Sequence, residues 1–259
     1  MSGDEILVLL GSLALSIAGG YRWYACCLRY RSFGRNTGPR VLAAFAPLFA
    51  LLALYIVLAR WASGDVRNDP IYLGFYLALG AAWLVGLVSL SGFFGFVLRD
   101  DWLESTNPAT PILGLAVFLG GMASFAGANI GDGPGWWVVL FSAGLATGTW
   151  FLSWWLYARI SQAMERIVID RDPGASLRLA GLLVAVGAVT GRAAAGNWQS
   201  ADATLVDFLQ VAFPVPFYVA GFAALERQWR TARLSTSVAV LVLHASFAGL
   251  TLYLAGPWH

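Results

Sequence analysis

The stretch VLAAFAPLFALLALYIVLA, residues 41–59, contains 19 consecutive residues without a single charge. A transmembrane helix needs about 20 predominantly apolar residues to cross the hydrocarbon layer of a bilayer. The apolar run is continuous and does not alternate with polar residues, which favours a helix over a strand of a transmembrane barrel. This stretch therefore predicts a membrane-spanning helix.

Seven further apolar stretches of similar length occur along the chain, so we expect eight spanning helices. The predicted spans are residues 6–28, 41–59, 71–98, 112–130, 136–158, 175–196, 205–225 and 238–255. The segments between them are short, and none of them resembles a linker or a soluble domain. The expected fold is an all-α, polytopic membrane protein with one transmembrane domain over residues 1–259.

The composition of the whole chain points to the same class of protein. Hydrophobic residues make up 59% of the chain and charged residues only 12%, whereas an average soluble domain is about 25% charged. A soluble fold of this size would lack the polar surface to cover so much apolar material. Soluble enzymes, secreted disulfide-stabilised proteins, nucleic-acid-binding domains and disordered tails are therefore excluded.

The distribution of arginine predicts how the chain sits in the membrane. All 16 basic residues are arginine, which excludes covalent chemistry on a lysine. If the N-terminus lies outside, only Arg60, Arg67 and Arg192 are outside and the other arginines are cytoplasmic. Positive residues concentrate in cytoplasmic loops, so we predict that both termini lie outside. The residues before the first span are acidic, opposite to the flank of a cleaved signal peptide, so this span is expected to be retained.

A polar residue of the kind that caps helices precedes every second span. Asn36, Asn107, Asp172 and Ser235 are separated by 71, 65 and 63 residues. A regular spacing of this size indicates internal duplication. We expect four parallel helical-hairpin repeats, at approximately residues 1–60, 61–131, 132–196 and 197–259. Two interpretations of these four residues remain open. They are ordinary N-caps, or they mark four positive helix ends that converge at the cytoplasmic face and bind an anionic group.

Part of this pattern resembles a known family. The segment DPGASLRLAG, residues 172–181, followed by GRAAAG at residues 191–196, is similar to the YjfL-type family of bacterial inner-membrane proteins, catalogued as a domain of unknown function. Asn107-Pro108-Ala109, with Gly114 and Gly120, resembles the partner repeat of that family. The resemblance is best over residues 104–196 and would make the whole chain a tandem copy. It implies a bundle of capped, Gly/Ala-rich helices in a bacterial inner membrane, and no settled activity.

Five polar residues are candidates for a solute or ion path, because ionisable groups within a membrane commonly mark functional sites. They are Asp207, Arg192, Asp132, Asn129 and His244. Other interpretations remain open for each of them. Arg192 and Asp207 could form a structural ion pair, the glycine-rich segment at residues 127–137 could be a compact turn, and His244 could be a hydrogen-bonded packing residue.

Two further features concern helix geometry. Pro214 and Pro216 lie within the seventh predicted span and should kink or unwind it. Broken helices often mark transport sites, although static kinks occur as well. Glycines dominate the fourth and sixth spans, which favours close helix packing. They are Gly114, Gly120, Gly121, Gly127, Gly181, Gly187, Gly191 and Gly196.

These observations leave two functional hypotheses. A transporter or channel for a small solute or ion is supported by the repeats, the Pro-x-Pro span and the few charges within spans. A non-catalytic subunit or scaffold of a membrane complex is supported by the scarcity of polar residues within spans. No catalytic, nucleotide-binding or metal-binding motif is found, so we expect neither an enzyme nor a metal or other cofactor. The expected partners are the lipid bilayer and either membrane proteins or further copies of this chain, and not nucleic acid.

Overall fold

Eight long apolar helices form a bundle in the computed structural model, which describes residues 1–29, 38–105, 107–229 and 233–256. Each of the eight is long and apolar enough to cross a membrane, which confirms the prediction of an all-helical, multi-pass membrane protein. In chain order the helices are α1 (Gly3–Arg29), α2 (Gly38–Trp61), α3 (Gly64–Arg67), α4 (Pro70–Ser91), α5 (Thr110–Gly127), α6 (Trp136–Ser161), α7 (Ala163–Val168), α8 (Pro173–Ala194), α9 (Ala201–Ala212), α10 (Pro214–Glu226) and α11 (Leu234–Leu254). α3 and α7 are short connections, and α9 and α10 together form the seventh span.

Hydrogen bonds join helix ends and connecting segments at each of the two faces of the bundle. At the first, which we call the terminal face, Trp136 Nε1 donates to Asp4 Oδ2 at 2.9 Å. At the second, the arginine face, Asn107 Nδ2 donates to the carbonyl oxygen of Ile167 at 2.8 Å. The terminal face comprises residues 1–5, 62–72, 128–136, 192–200 and 255–256, and the arginine face comprises residues 92–105, 107–109, 157–178, 226–229 and 233–237.

The centre of the bundle is formed by α5 and α8, which are the most buried of the spanning helices. Their backbones touch because glycines face each other. A methyl group added at Gly120 would lie 2.6 Å from the carbonyl oxygen of Leu183, and one at Gly187 would overlap the carbonyl oxygen of Gly120. The same overlap occurs between Gly127 and Gly191. The prediction that small residues bring these helices close together is confirmed.

The Pro-x-Pro motif interrupts the seventh span without unwinding it. α9 ends at Ala212 and α10 begins at Pro214, so only Phe213 separates the two helices. Phe213 keeps helical dihedral angles, with φ −49° and ψ −41°. The hydrogen-bond pattern breaks here because Pro214 and Pro216 have no N–H group to donate to the preceding turn.

The structure supports the predicted helix caps to different degrees. Asp172 caps α8, with its Oδ1 accepting from the backbone N–H of Gly174 at 2.8 Å. Asn107 Oδ1 accepts from the backbone N–H of Ala109 at 2.9 Å, but it is Ala109 that holds the N-cap position of α5. The assignment of Ser235 as a cap is wrong, because α11 begins one residue earlier and Arg233 holds the N-cap position. Asn36 lies outside the described residues.

Candidate functional site

A cavity of about 240 Å³ opens at the terminal face. It lies where α1, α3, α4, α6 and α9 approach the connections after α5 and α8. Of the five predicted path residues, Asn129, Asp132 and Asp207 line this cavity. Arg192 and His244 are not among the residues that line it. The structure therefore brings together three residues that are up to 78 positions apart in the chain.

Two connections pair along their backbones to build one wall of the cavity. The backbone N–H of Gly196 donates to the carbonyl oxygen of Ile130 at 2.9 Å. The backbone N–H of Trp198 donates to the backbone carbonyl oxygen of Asp132 at 2.8 Å. Gly131 has a φ of 113°, a region that favours glycine, and a methyl group there would overlap the carbonyl oxygen of Gly196. The glycine-rich segment is thus a compact turn, and this turn also holds Asp132 at the cavity.

The charge of the cavity lining is negative. Four carboxylate side chains line it, and none of the arginines in the described residues does; the carboxylates are those of Glu5, Asp65, Asp132 and Asp207. Asp65, Asp132 and Asp207 are exposed, so the cavity opens to solvent at their level. The Tyr72 hydroxyl donates to Glu5 Oε2 at 3.2 Å, which holds this carboxylate at the cavity.

Asn129 is the buried polar residue of the lining, with only 6% of its surface exposed. Its Nδ2 donates to the carbonyl oxygen of Phe125 at 2.8 Å. Its Oδ1 is buried and accepts no hydrogen bond from any described residue. A buried acceptor left in this way costs about 1–3 kcal/mol. Asn129 is therefore an acceptor in need of a donor, at the inner part of an acidic cavity.

Arg192 and His244 make contacts elsewhere in the bundle. Arg192 Nη2 donates to the carbonyl oxygens of Ala255 and Gly256, at 2.9 and 3.1 Å, and so ties the end of α8 to the end of α11. The expected pair between Arg192 and Asp207 is not among the ion pairs formed by the described residues. His244 is fully buried, and its Nδ1 lies 2.7 Å from the Tyr218 hydroxyl. This contact corresponds to the packing interpretation of His244.

A second polar site, which the sequence analysis missed, lies at the arginine face. Glu226 is fully buried at the end of α10. Arg178 donates to both of its carboxylate oxygens, from Nε and from Nη2, each at 2.7 Å. Arg166 Nη2 donates to Oε1 at 2.5 Å, and the Tyr157 hydroxyl donates to Oε2 at 2.9 Å. Arg178 Nη1 also donates to the Ser237 hydroxyl. We call these five residues the Glu226 cluster.

The Glu226 cluster joins helices that are distant in the chain. Its residues come from α6, α7, α8, α10 and α11, so one carboxylate holds together much of the arginine face. Paired, two-pronged contact of an arginine with a carboxylate is the strongest type of hydrogen-bonded ion pair. It also compensates for the removal of these charges from water, which is otherwise costly.

The starts of three helices meet beside this cluster. Ser176 in the first turn of α8 donates to the carbonyl oxygen of Ala109 at the start of α5, at 2.5 Å. Arg178 connects the same part of α8 to Ser237 in the first turn of α11. The anionic group next to these helix starts belongs to the chain itself, since it is the carboxylate of Glu226. Contacts therefore join the start of α8 to the starts of α5 and α11, while binding of an anionic ligand by these helix starts stays a prediction.

One sequence signal pointed toward the Glu226 cluster. Glu226 directly follows the predicted seventh span, and Arg178 lies near the start of the sixth. A charged side chain so close to an apolar run either reaches the membrane–water interface or requires a partner of opposite charge. The partners themselves lie 48 to 69 residues away from Glu226, so the sequence offered no means to identify them.

No family model, curated protein or solved structure matches the chain. The resemblance to the YjfL-type family therefore stays a prediction.

Proposed function

We propose that the protein transports a small solute or ion across the membrane and binds it first in the cavity at the terminal face. The observation that carries this proposal is the meeting of Asn129, Asp132 and Asp207 at one cavity. A bundle without a ligand gains nothing from a buried, unpaired acceptor beside these carboxylates, because such an acceptor costs stability.

The depth of the cavity favours a carrier over an open channel. Tyr76 and Ser142 line it, and each lies six residues into its helix. At 1.5 Å per residue the cavity therefore reaches about 9 Å down, against a hydrocarbon layer of about 30 Å. Below it α5 and α8 are in backbone contact, and the Glu226 cluster ties the arginine face together. We interpret this arrangement as a carrier that is open at one face and closed at the other.

The finer predictions from the sequence belong to the same proposal. We place the terminal face outside the cell and the arginine face in the cytoplasm of a bacterial inner membrane, because of the arginine distribution. We also retain the four parallel repeats and the resemblance to the YjfL-type family as parts of it. Their support remains the spacing of the polar residues that precede every second span.

Transport is tested by flux into proteoliposomes that contain the purified protein, with monovalent cations, protons and polyamines as solutes. We expect protein-dependent flux of at least one solute. The double variant Asp132→Asn/Asp207→Asn should lower that flux at least tenfold, because it removes two of the four negative charges that line the cavity. The rate of uptake is the quantity to compare.

The matched control is Asp202→Asn. Asp202 is exposed in the first turn of α9, close in sequence to Asp207, but it does not line the cavity. Its flux should equal that of the unmodified protein. Flux that is unaffected by the double variant, or absent for every solute, would refute the proposed path.

The orientation has its own test, by labelling single cysteines in intact cells. With Cys26 and Cys27 replaced by serine, Asp202→Cys places a thiol in the first turn of α9, next to the terminal face, and Asp170→Cys places one at the arginine face. Both positions are exposed. A membrane-impermeant maleimide should label the first in intact cells and the second only after permeabilisation. The reverse pattern would contradict the proposed orientation.

A second candidate function, a scaffold subunit, is supported by one surface feature. An apolar groove of about 480 Å³ lies between α1, α4 and α6 and includes Leu15, Leu87 and Leu140. Its lining also contains Gly11 and Gly86, so a helix of another membrane protein could approach closely. Absence of flux for every tested solute would make this function the stronger of the two.

A further inference from the structure

We infer that the cavity at the terminal face binds a short-chain diamine or a closely similar organic cation. This inference deepens the proposed function, on which it rests for the idea that a solute enters the cavity. It is argued from the charge, the unpaired acceptor, the aromatic residues and the size of the cavity.

The sign and the distribution of the charges that line the cavity favour an organic cation as the ligand. Glu5, Asp65, Asp132 and Asp207 belong to four different segments, which approach the cavity from different directions. Among the described residues, no three His, Cys, Asp or Glu side chains lie close enough together to hold one metal ion. A divalent metal such as Ca²⁺ takes about 6–8 oxygen ligands that converge on a single point. Carboxylates spread around a cavity suit a cation that carries its charge at more than one position.

The unpaired acceptor beside the cavity is compatible with a ligand that donates hydrogen bonds. Asn129 Oδ1 is buried and accepts no hydrogen bond from the described residues, while Nδ2 of the same side chain is held by Phe125. The amide therefore cannot rotate to exchange the two groups without losing the bond to Phe125. An ammonium group carries three N–H donors, so it can bond several of the carboxylate oxygens that line the cavity at once. A bare monovalent metal ion offers no such donor.

Aromatic side chains line the cavity beside the carboxylates. Tyr72, Tyr76 and Trp198 all belong to the lining. Aromatic faces attract ammonium groups through their quadrupole and also contact alkyl chains, whereas small metal ions bind oxygen ligands in preference. Aromatic residues, carboxylates and an amide oxygen together match a ligand that has charged ends and an apolar middle.

The size of the cavity limits the length of that ligand. The cavity volume of 240 Å³ is that of a site for a small ligand. A diamine with four or five carbons fits this limit. Drug-sized ligands occupy pockets of about 300–1,000 Å³ and do not fit.

Binding of 1,4-diaminobutane to the full-length protein in nanodiscs, measured by titration calorimetry at low ionic strength, tests the inference. We expect saturable binding that weakens with added salt, because three of the carboxylates are exposed. 1-Aminobutane should bind at least tenfold more weakly, because it carries one charge. Butane-1,4-diol, which has the same length and no charge, should not bind.

The variants then place the diamine in this cavity. Asp132→Asn/Asp207→Asn should weaken binding of 1,4-diaminobutane at least tenfold, while Asp202→Asn should leave it unchanged. Thermal unfolding of all variants without ligand checks that they are folded, and the diamine should raise the melting temperature only where it binds. Equal affinity for 1-aminobutane, displacement by Na⁺ or Mg²⁺ beyond the effect of ionic strength, or full binding by the double variant would each overturn the inference.

This experiment separates the inference from the proposed function because it does not require transport. Diamine binding without flux in proteoliposomes would keep the site and overturn transport. Flux of another solute, without diamine binding, would keep transport and overturn the choice of ligand.

Discussion

Glu226→Gln is expected to destabilise the protein by about 3–5 kcal/mol, the usual cost of removing one partner from a buried ion pair. The substitution preserves the shape of the side chain and removes its charge. Arg178 and Arg166, whose side chains are 1% and 9% exposed, would then lie buried without a negative partner in the Glu226 cluster. An amide also has one acceptor oxygen instead of two, so either the pair of bonds now accepted by Oε1 or the pair accepted by Oε2 would be lost.

Unfolding in mixed detergent, followed by circular dichroism, measures this effect. Glu165→Gln is a matched control, because Glu165 is an exposed glutamate in the neighbouring helix α7. It should change stability little, as expected for an exposed residue. If the two variants were equally stable, the Glu226 cluster would not be what holds the arginine face together.

A double replacement separates the loss of pairing from the loss of either residue. In Glu226→Met/Arg178→Met both charges are removed and apolar side chains of similar length remain. Because replacing a whole buried pair with apolar residues is often neutral, this variant should lose less stability than Glu226→Met and Arg178→Met lose in sum. The recovery should be partial, because Arg166 stays buried without its carboxylate partner. Additive losses would mean that Glu226 and Arg178 contribute independently.

Gly187→Ala is expected to lower stability by about 1–3 kcal/mol, the cost of overpacking a close-packed interior. In an open helix the same change stabilises by roughly 0.5–1 kcal/mol, because alanine loses less conformational entropy than glycine. At Gly187 the added methyl group would overlap the carbonyl oxygen of Gly120, which is backbone and can move away only if α5 and α8 separate. The overlap should therefore outweigh the gain in helix propensity.

Gly144→Ala is the control, and its effect on stability should have the opposite sign. Gly144 lies in α6, and a methyl group there would meet nothing within 4 Å. We expect this variant to be as stable as the unmodified protein or slightly more stable, in the same unfolding assay. If Gly187→Ala behaved in the same way as Gly144→Ala, the backbone contact between α5 and α8 would be looser than the structure has it.

The two predictions concern different parts of the proposed transport cycle. The contact at Gly187 and Gly120 lies between the central helices, and the Glu226 cluster closes the arginine face. A carrier has to open that face at some stage of its cycle, which requires these contacts to separate or move together. If the protein is the proposed carrier, we expect a moderate weakening of either site to change flux as well as stability.

The sequence alone determined where the spans lie and which of them can pack closely against a neighbour. Each span follows from a local property, the number of apolar residues that the hydrocarbon layer requires, so α2 could be predicted from residues 41–59 without any knowledge of its neighbours. The glycines of α5 and α8 indicated close packing for a similar reason, since a missing side chain permits contact whatever the partner is. Asn129, Asp132 and Asp207 could also be identified locally, because each is a polar residue at or beside a predicted span.

Only the tertiary structure decided which polar groups meet. Arg192 was expected to pair with Asp207, but it lies against the carbonyl oxygens at the end of α11, 63 residues away. Glu226 is paired with Arg178 and Arg166, 48 and 60 residues away. Such partners depend on how the helices are arranged around one another, and hydrophobicity determines the length of each helix but not its neighbours. The physical reason is that burial in lipid is a property of each segment, whereas a charge pair is a property of two segments brought together by packing.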